Sequence, residues 1–318
     1  MSNSILRKYV QKMERLRIDR AHGAAPHQPL LLLTVIELIE QGQICENKIH
    51  LTPDLVETFL KYWTKVVTDR KPDLALPFYH LQNRGFWHLH PNAGYEKVLS
   101  VASRISPVSR LREVVAYASL DEDLYVLLTV PHDREVLRQT LIRTYFADFK
   151  KEIESLIAED QQIEEYRQSL LQQVDRTFSS LKSLAPIEAE NPIRTAGFRQ
   201  AIMRIYDYTC TICRLRIITM DGESVTEAAH IIPFEVSGNN DVRNGISLCQ
   251  LHHWTFDRGL ISLNKNYEVI VSEFMIEHGP TEWLLTTLRG KTILFPEDEE
   301  LYPAQEALAW HREEVFTK

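Results

Sequence analysis

Apolar positions recur at helical spacing from the start of the chain. In ILRKYVQKMERLRIDR, residues 5–20, Ile5, Val10, Met13 and Leu16 share one side, while Arg7, Lys8, Lys12, Arg15 and Arg17 stand opposite with Glu14. PLLLLTVIELIEQGQI predicts a buried helix ended by Gly42. LTPDLVETFLKYWTKVV predicts another, with Thr52 as N-cap and Pro53 in its first turn. The stretches LPFYHLQ, GFWHLH and YEKVLSV read as extended, LREVVAYA as helical, DLYVLLTV as strand or helix, and HDREVLRQTLIRTYF as helix. Residues 148–181, rich in Glu, Gln, Lys and Ser with sparse Leu and Ile, predict a long exposed helix joining two domains, followed by the linker Ala185–Pro192. An acidic surface helix with no mechanical role explains the same composition.

From Phe198 the pattern changes. FRQAIMRIYDYTC begins as a helix, and RLRIITM and ESVTEAAHIIPF read as extended segments joined by the turn Asp221-Gly222. The polar loop EVSGNNDVRNG leads into LCQLHHWTFDRG, a short helix ending at Gly259, and ISLNKNYEVIVS returns as two strands. The closing helix, PAQEALAWHREEVF, packs on this module and carries no assigned chemistry. The order is strand, strand, helix, strand, strand.

A length of 318 residues makes two domains the expectation, and 44% hydrophobic with 25% charged residues is ordinary for packed cores. The longest largely apolar run, Leu30 to Ile36, is far short of a membrane span, and the charged N-terminus has no secretory pattern, so the expected location is the cytoplasm. A net charge of -8 counts mildly against a nucleic-acid partner, although phosphate contacts are made by local patches.

In a reducing compartment a close Cys-x-x-Cys pair is more often a metal or redox site than a structural disulfide. Cys210 and Cys213 have this spacing, and Cys249 and His252 repeat it. Two such pairs suit tetrahedral Zn2+ with every position filled by protein, a structural site. Small buried cysteines and a redox pair are weaker readings, the latter because no thioredoxin-like context surrounds it. His253 and Asp257, at i and i+4, share a helix face turned about 100° from His252. Adjacent histidines thus imply a second site with mixed nitrogen and oxygen ligands. Taken alone, these two residues favour the ordinary reading, His253 capping local backbone and Asp257 paired with Arg258 or solvent.

Three elements together, AAHIIPF, NGISLC and HHWTFDRG, resemble the His-Asn-His (HNH) nuclease module with its ββα-metal fold, over roughly Phe198 to the C-terminus. The resemblance implies His230 as general base toward water, Asn244 as the residue that holds the loop orienting the site and orients His230, and His253 with Asp257 as holders of Mg2+, Mn2+ or another divalent ion. Arg258 or Arg243 would touch phosphate. Many members carry Asp or His directly before the base; here Ala229 stands there, as in the subgroup that includes modification-dependent Mcr-type restriction enzymes.

In the N-terminal half, APHQPLLLL and LALPFYHLQNRGFWHL resemble the sulfur-binding domain of restriction enzymes that recognise phosphorothioated DNA. Sulfur in place of a phosphate oxygen is larger, more polarisable and poorly hydrated, so an apolar cup can read it. The resemblance implies Leu76, Pro77 and His80 for the cup, His27, Gln28 and Arg104 or Arg110 for polar contacts, and Asn83, Arg84 or His88 for neighbouring bases. Arg7, Lys8, Lys12, Arg15 and Arg17 would contact phosphates. Core, edge and solvated-surface roles are the ordinary alternatives for each.

The expected class is α+β: a mostly helical DNA-reading domain over 1–150, a helical linker over 151–192 and a zinc-bearing ββα-metal nuclease domain over 193–318. The expected activity is restriction of phosphorothioated double-stranded DNA, by a homodimer because a duplex break needs two cuts, with no membrane partner. Alternatives are an HNH nuclease dependent on a modified base such as 5-methylcytosine, with Tyr79, Phe86 and Trp87 lining its pocket, and a non-catalytic DNA-binding protein.

Overall fold

The amphipathic start folds as helix α1, Ser2–Met13, which buries Tyr9 and Met13. The structure, a computed structural model, describes residues 2–16, 18, 26–68, 70–174, 177–178, 191–219 and 222–317. Arg17, Asp221 and residues 185–190 of the expected linker therefore lie outside the described residues. Two compact units divide the chain, Met1–Glu159 with Thr219–Glu223, and Asp160–Ile218 with Ser224–Lys318. No helix among the described residues is long and apolar enough to cross a membrane.

In the first unit, the helix α2, His27–Glu40, buries every residue from Gln28 to Ile39. Helix α3, Pro53–Val66, starts as the sequence predicts, with Thr52 Oγ1 accepting from Leu55 N at 3.2 Å. LPFYHLQ, expected to be extended, instead forms helix α4, Ala75–His80, continued by a 3-10 turn over Leu81–Arg84. Asp73 Oδ1 accepts from Leu76 N at 3.1 Å, and the buried set Leu74, Ala75, Phe78 and Leu81 follows a helical rather than an alternating period.

GFWHLH supplies β1, Trp87–Pro91. YEKVLSV, also expected to be extended, forms helix α5, Glu96–Val101. LREVVAYA divides between helix α6, Val108–Val114, and strand β2, Val115–Leu120, where alternation buries Val115, Ala118 and Leu120. β2 pairs antiparallel with β1, Trp87 opposite Leu120. DLYVLLTV becomes helix α7, Glu122–Thr129, and helix α8 spans Pro131–Tyr145. α2 lies at the centre, packed by α3, α4, α7 and α8.

Helix α9, Lys150–Gln172, is not exposed throughout as its composition suggested. Ile153, Leu156 and Ile157 join the core of the first unit, and Leu170 joins that of the second. A sparse apolar stripe is enough to seat a helix when its spacing keeps one face continuous.

The second unit begins with helix α10, Pro192–Ile205, whose N-cap Asn191 accepts from Ile193 N. The expected hairpin of RLRIITM with ESVTEAAHIIPF is reduced to one bridge, Ile218 with Ser224. The strand from the latter, β3, Thr226–His230, pairs antiparallel with β4, Gly245–Cys249, a stretch read as loop and helix start. Between them sits the short helix α11, Phe234–Ser237. After β4 comes helix α12, Gln250–Asp257, which packs on both strands, completing a ββα unit. Strands β5, Ile261–Leu263, and β6, Val269–Val271, pair with each other.

The closing helix is α13, Gln305–Glu314, packed on β5. Its His311 is 1% exposed, with Nδ1 2.8 Å from Ser262 Oγ and Nε2 3.1 Å from Phe256 O, and its ring stacks on Phe256 at 3.7 Å. Gly259 ends the α12 segment at φ +66, where a Cβ would fall 2.0 Å from Val315 O.

Candidate active site and metal centre

The two knuckles meet. Cys210, Cys213, Cys249 and His252 bring their donor atoms within 4.8 Å of one another, the one such group of three or more metal-ligating side chains among the described residues. Cys213 and Cys249 Sγ are 3.9 Å apart, and His252 Nδ1 lies 3.4 Å from Cys210 Sγ and 3.2 Å from Cys249 Sγ. A tetrahedral ion with ordinary Zn–S and Zn–N lengths requires edges of about 3.8 Å between sulfurs and about 3.6 Å between sulfur and nitrogen. The four residues therefore fit one tetrahedral ion. Cys249 N-caps α12 from the end of β4, and His252 sits on the first turn, so an ion here would tie the helix start to the Cys210–Cys213 turn. Burial opposes a charged His252, but the sulfurs of Cys210 and Cys249 overcome it and push its pKa up to about 9. Contacts with Cys210 and then with the other cysteine push the Cys213 thiol up and Cys249 down.

On the next face of α12, His253 lies between two carboxylates. Its Nδ1 is 2.9 Å from Glu227 Oε2 of β3, and its Nε2 is 3.5 Å from Asp257 Oδ2. The latter spacing admits one ion bound by both atoms at about 2.1 Å. Burial raises the Asp257 pKa, against the lowering effect of His253 and Arg258.

His230, at the end of β3, is half-buried and stacks on Phe198 of α10, ring centroids 3.9 Å apart. Its Nε2 lies 2.9 Å from Asn240 Oδ1, and Asn240 Nδ2 donates to the Tyr166 hydroxyl at 3.0 Å. That amide orientation makes Nε2–H the donor and leaves Nδ1 able to accept a proton. Burial lowers the His230 pKa, against the raising effect of the Asn240 bond and Glu235, and with His253 adding to the lowering.

Asn244 does not bond His230. Fully buried, it accepts from Ile232 N at 2.9 Å and donates to Ile232 O at 3.0 Å and Asn239 O at 3.1 Å, clasping the loop that follows the histidine. Sequence reasoning missed Asn240 and Glu227. A polar loop and an exposed strand carboxylate offered no signal beyond ordinary surface chemistry. Arg243 is held by Asp241, with Nη2 to Oδ2 at 2.6 Å.

In the first unit, His27 opens α2 with its ring 4.5 Å from that of Trp63, and buried Gln28 accepts from Arg84 Nε at 3.1 Å. Leu76 and His80 are half-buried and Pro77 buried on α4, which packs against α2, so these five candidates lie on adjoining elements. Arg104 is exposed after α5. Arg7, Lys8 and Arg15 are exposed on or just after α1. Lys12 is turned inward, its Nζ 2.8 Å from Gly85 O and 3.8 Å from Asp121 Oδ2. Arg110 pairs with Glu113 and His88 with Asp121. Tyr79, Phe86 and Trp87 are buried at 5%, 0% and 1% exposure, so they form core rather than an aromatic pocket for a flipped base.

Residues 6–158 match the family model of the ScoMcrA-like DNA sulfur-binding domain, and residues 210–264 match that of the HNH endonuclease. Comparison with curated proteins gave no match. Among solved structures, the chain is similar to a modification-dependent TagI restriction endonuclease, 18% identical over 40% of each chain with a TM-score of 0.30. It is also similar to the sulfur-binding domain of SprMcrA complexed with phosphorothioated DNA, 19% identical over 46% of this chain and 88% of that one, with a TM-score of 0.36. The chain spans 40% of the length of the restriction endonuclease.

Proposed function

We infer that this chain, in which a DNA sulfur-binding domain precedes an HNH endonuclease domain, is a DNA endonuclease that cuts duplexes carrying phosphorothioate linkages. Residues 1–150 read the modification, 151–192 connect, and 193–318 hydrolyse the phosphodiester. The observation that carries the chemistry is the gathering of half-buried His230 with His253 and Asp257 around one ββα unit.

His230 is the general base. Its Nε2–H is committed to Asn240, so Nδ1 accepts the proton of the water that attacks phosphorus. Burial keeps the ring neutral at pH 7, and stacking on Phe198 limits its rotation. Asn244 holds the 231–239 loop against β4. His253 and Asp257 would hold a divalent ion such as Mg2+ or Mn2+, which when bound stabilises charge on the phosphate and the leaving oxygen. Cys210, Cys213, Cys249 and His252 would hold structural Zn2+. Leu76, Pro77 and His80 form the surface for sulfur, with His27, Gln28 and Arg104 toward the neighbouring backbone. Each chain has one such base, so two chains act on a duplex; sedimentation showing a monomer both free and on DNA would remove that step.

The decisive assay compares unmodified, 5-methylcytosine-containing and phosphorothioated duplexes of one sequence, with Mn2+ or Mg2+, for wild-type and His230→Ala proteins. Cutting is expected on the phosphorothioated duplex alone, and absent in the variant. Cutting of the methylated duplex instead would overturn the sulfur reading. Tight binding without cutting would overturn the nuclease reading.

A further inference from the structure

We propose that Glu227 is a positioning residue for the divalent-ion site, holding His253 in the tautomer that offers Nε2 to the ion. This rests on the reading of His253 and Asp257 as the ion's holders.

His253 has one carboxylate on each ring nitrogen, and the two separations differ in kind. Glu227 Oε2 is at hydrogen-bond distance from Nδ1, 2.9 Å, whereas Asp257 Oδ2 stands 3.5 Å from Nε2. A neutral imidazole carries one proton, so the nitrogen bonded to Glu227 is the donor and the other presents its lone pair. That lone pair faces Asp257 across a gap too wide for a good hydrogen bond and suited to a shared ion. A carboxylate behind a ligating histidine orients the ring and raises its basicity.

Glu227 is placed for this by the fold. It stands on β3 opposite Leu248 of β4, one residue before the Cys249 cap of α12, and the strand packs on that helix. Among the described residues it forms no ion pair with lysine or arginine; its charge is directed to His253. Its oxygens and those of Asp257 do not share one nitrogen, so Glu227 supports the ligand rather than replacing it.

The test is Mn2+ binding to the zinc-loaded, full-length protein without DNA, read from the electron paramagnetic resonance signal of free Mn2+. Wild-type, His253→Ala, Glu227→Ala and Glu227→Gln proteins are compared at equal zinc content. His253→Ala is expected to lose the site. Glu227→Ala is expected to weaken Mn2+ by about 10- to 100-fold. Glu227→Gln, whose amide oxygen still accepts from Nδ1–H, is expected to recover much of that loss. Wild-type affinity in Glu227→Ala overturns the proposal. Equal weakening in Gln and Ala variants overturns the positioning role in favour of a purely electrostatic one. Wild-type protein with no His253-dependent Mn2+ overturns the ion reading and this proposal together, while cleavage of the wrong duplex by Mn2+-binding protein overturns the substrate reading alone.

Discussion

A general base has to be neutral to accept a proton, and the surroundings of His230 favour that form. Burial lowers its pKa from the ordinary histidine value, so the neutral form persists below pH 6.5, and with His230 as the proposed base the acid limb of the cleavage rate is expected under that pH. The Asn240 bond works in the opposite direction, favouring the charged ring. Asn240→Ala is therefore expected to move the acid limb further down while lowering the plateau by about 10-fold through loss of tautomer control, a fraction of the roughly 10²- to 10⁴-fold supplied by a general base. Single-turnover rates from pH 5 to 8 measure both effects. An acid limb that moved upward would contradict the assigned hydrogen bond.

At the scale of elements, α12 matters most, because successive residues of one short helix face different clusters, His252 the cysteines and His253 two carboxylates. Its lower end depends on α13. Unfolded His311 titrates near 6.5, and burial pushes the folded value down to about 4. The folded second unit thus excludes a proton that the unfolded chain takes up. Stability is full above pH 6.5, falls as pH drops from there to about 4, and loses about 3 kcal/mol from this group. Urea unfolding of wild-type and His311→Gln proteins at pH 7 and 4.5 checks the difference. Gly259→Ala is expected to cost more than about 3 kcal/mol, since the residue would take positive φ and meet Val315 backbone; thermal unfolding measures it.

Legibility in the sequence followed periodicity. The separation of His252 from His253 was readable because the helical period alone turns neighbours to different faces. The cysteine knuckles were readable from spacing. Helix α4 was not, because Pro, Phe and Tyr mimic a strand while Asp73 caps a helix. β4 was missed because its apolar alternation is short and buried throughout. Glu227 and Asn240 stayed hidden because their partners lie 26 and 10 residues away, across pairings that no local pattern encodes.

For the whole molecule, selectivity and attraction are separable quantities. If Leu76 lines the proposed sulfur cup, Leu76→Ala is expected to reduce the preference for phosphorothioate over phosphate by about 10-fold, with little change on unmodified DNA. Binding isotherms on matched duplexes test this. Arg7→Ala and Arg15→Ala should each lower the slope of log K against log salt by about 1 without altering that preference. Lys12→Ala should leave the slope unchanged, because its ammonium already serves Gly85 and Asp121.

With Zn2+ at the cysteine knuckle and a divalent ion at His253 as proposed, the adjacency of His252 and His253 would give the protein two chemically distinct vulnerabilities in neighbouring residues. Brief exposure to a carboxylate chelator would strip a loosely held hard cation beside His253, and added Mn2+ would bring activity back. A thiol oxidant would attack the knuckle through exposed Cys213, release Zn2+ and let the helix start come away, an injury that Mn2+ cannot repair. Inactivation reversed by metal and inactivation reversed only by reductant with Zn2+ would thus report on two sides of the same helical turn.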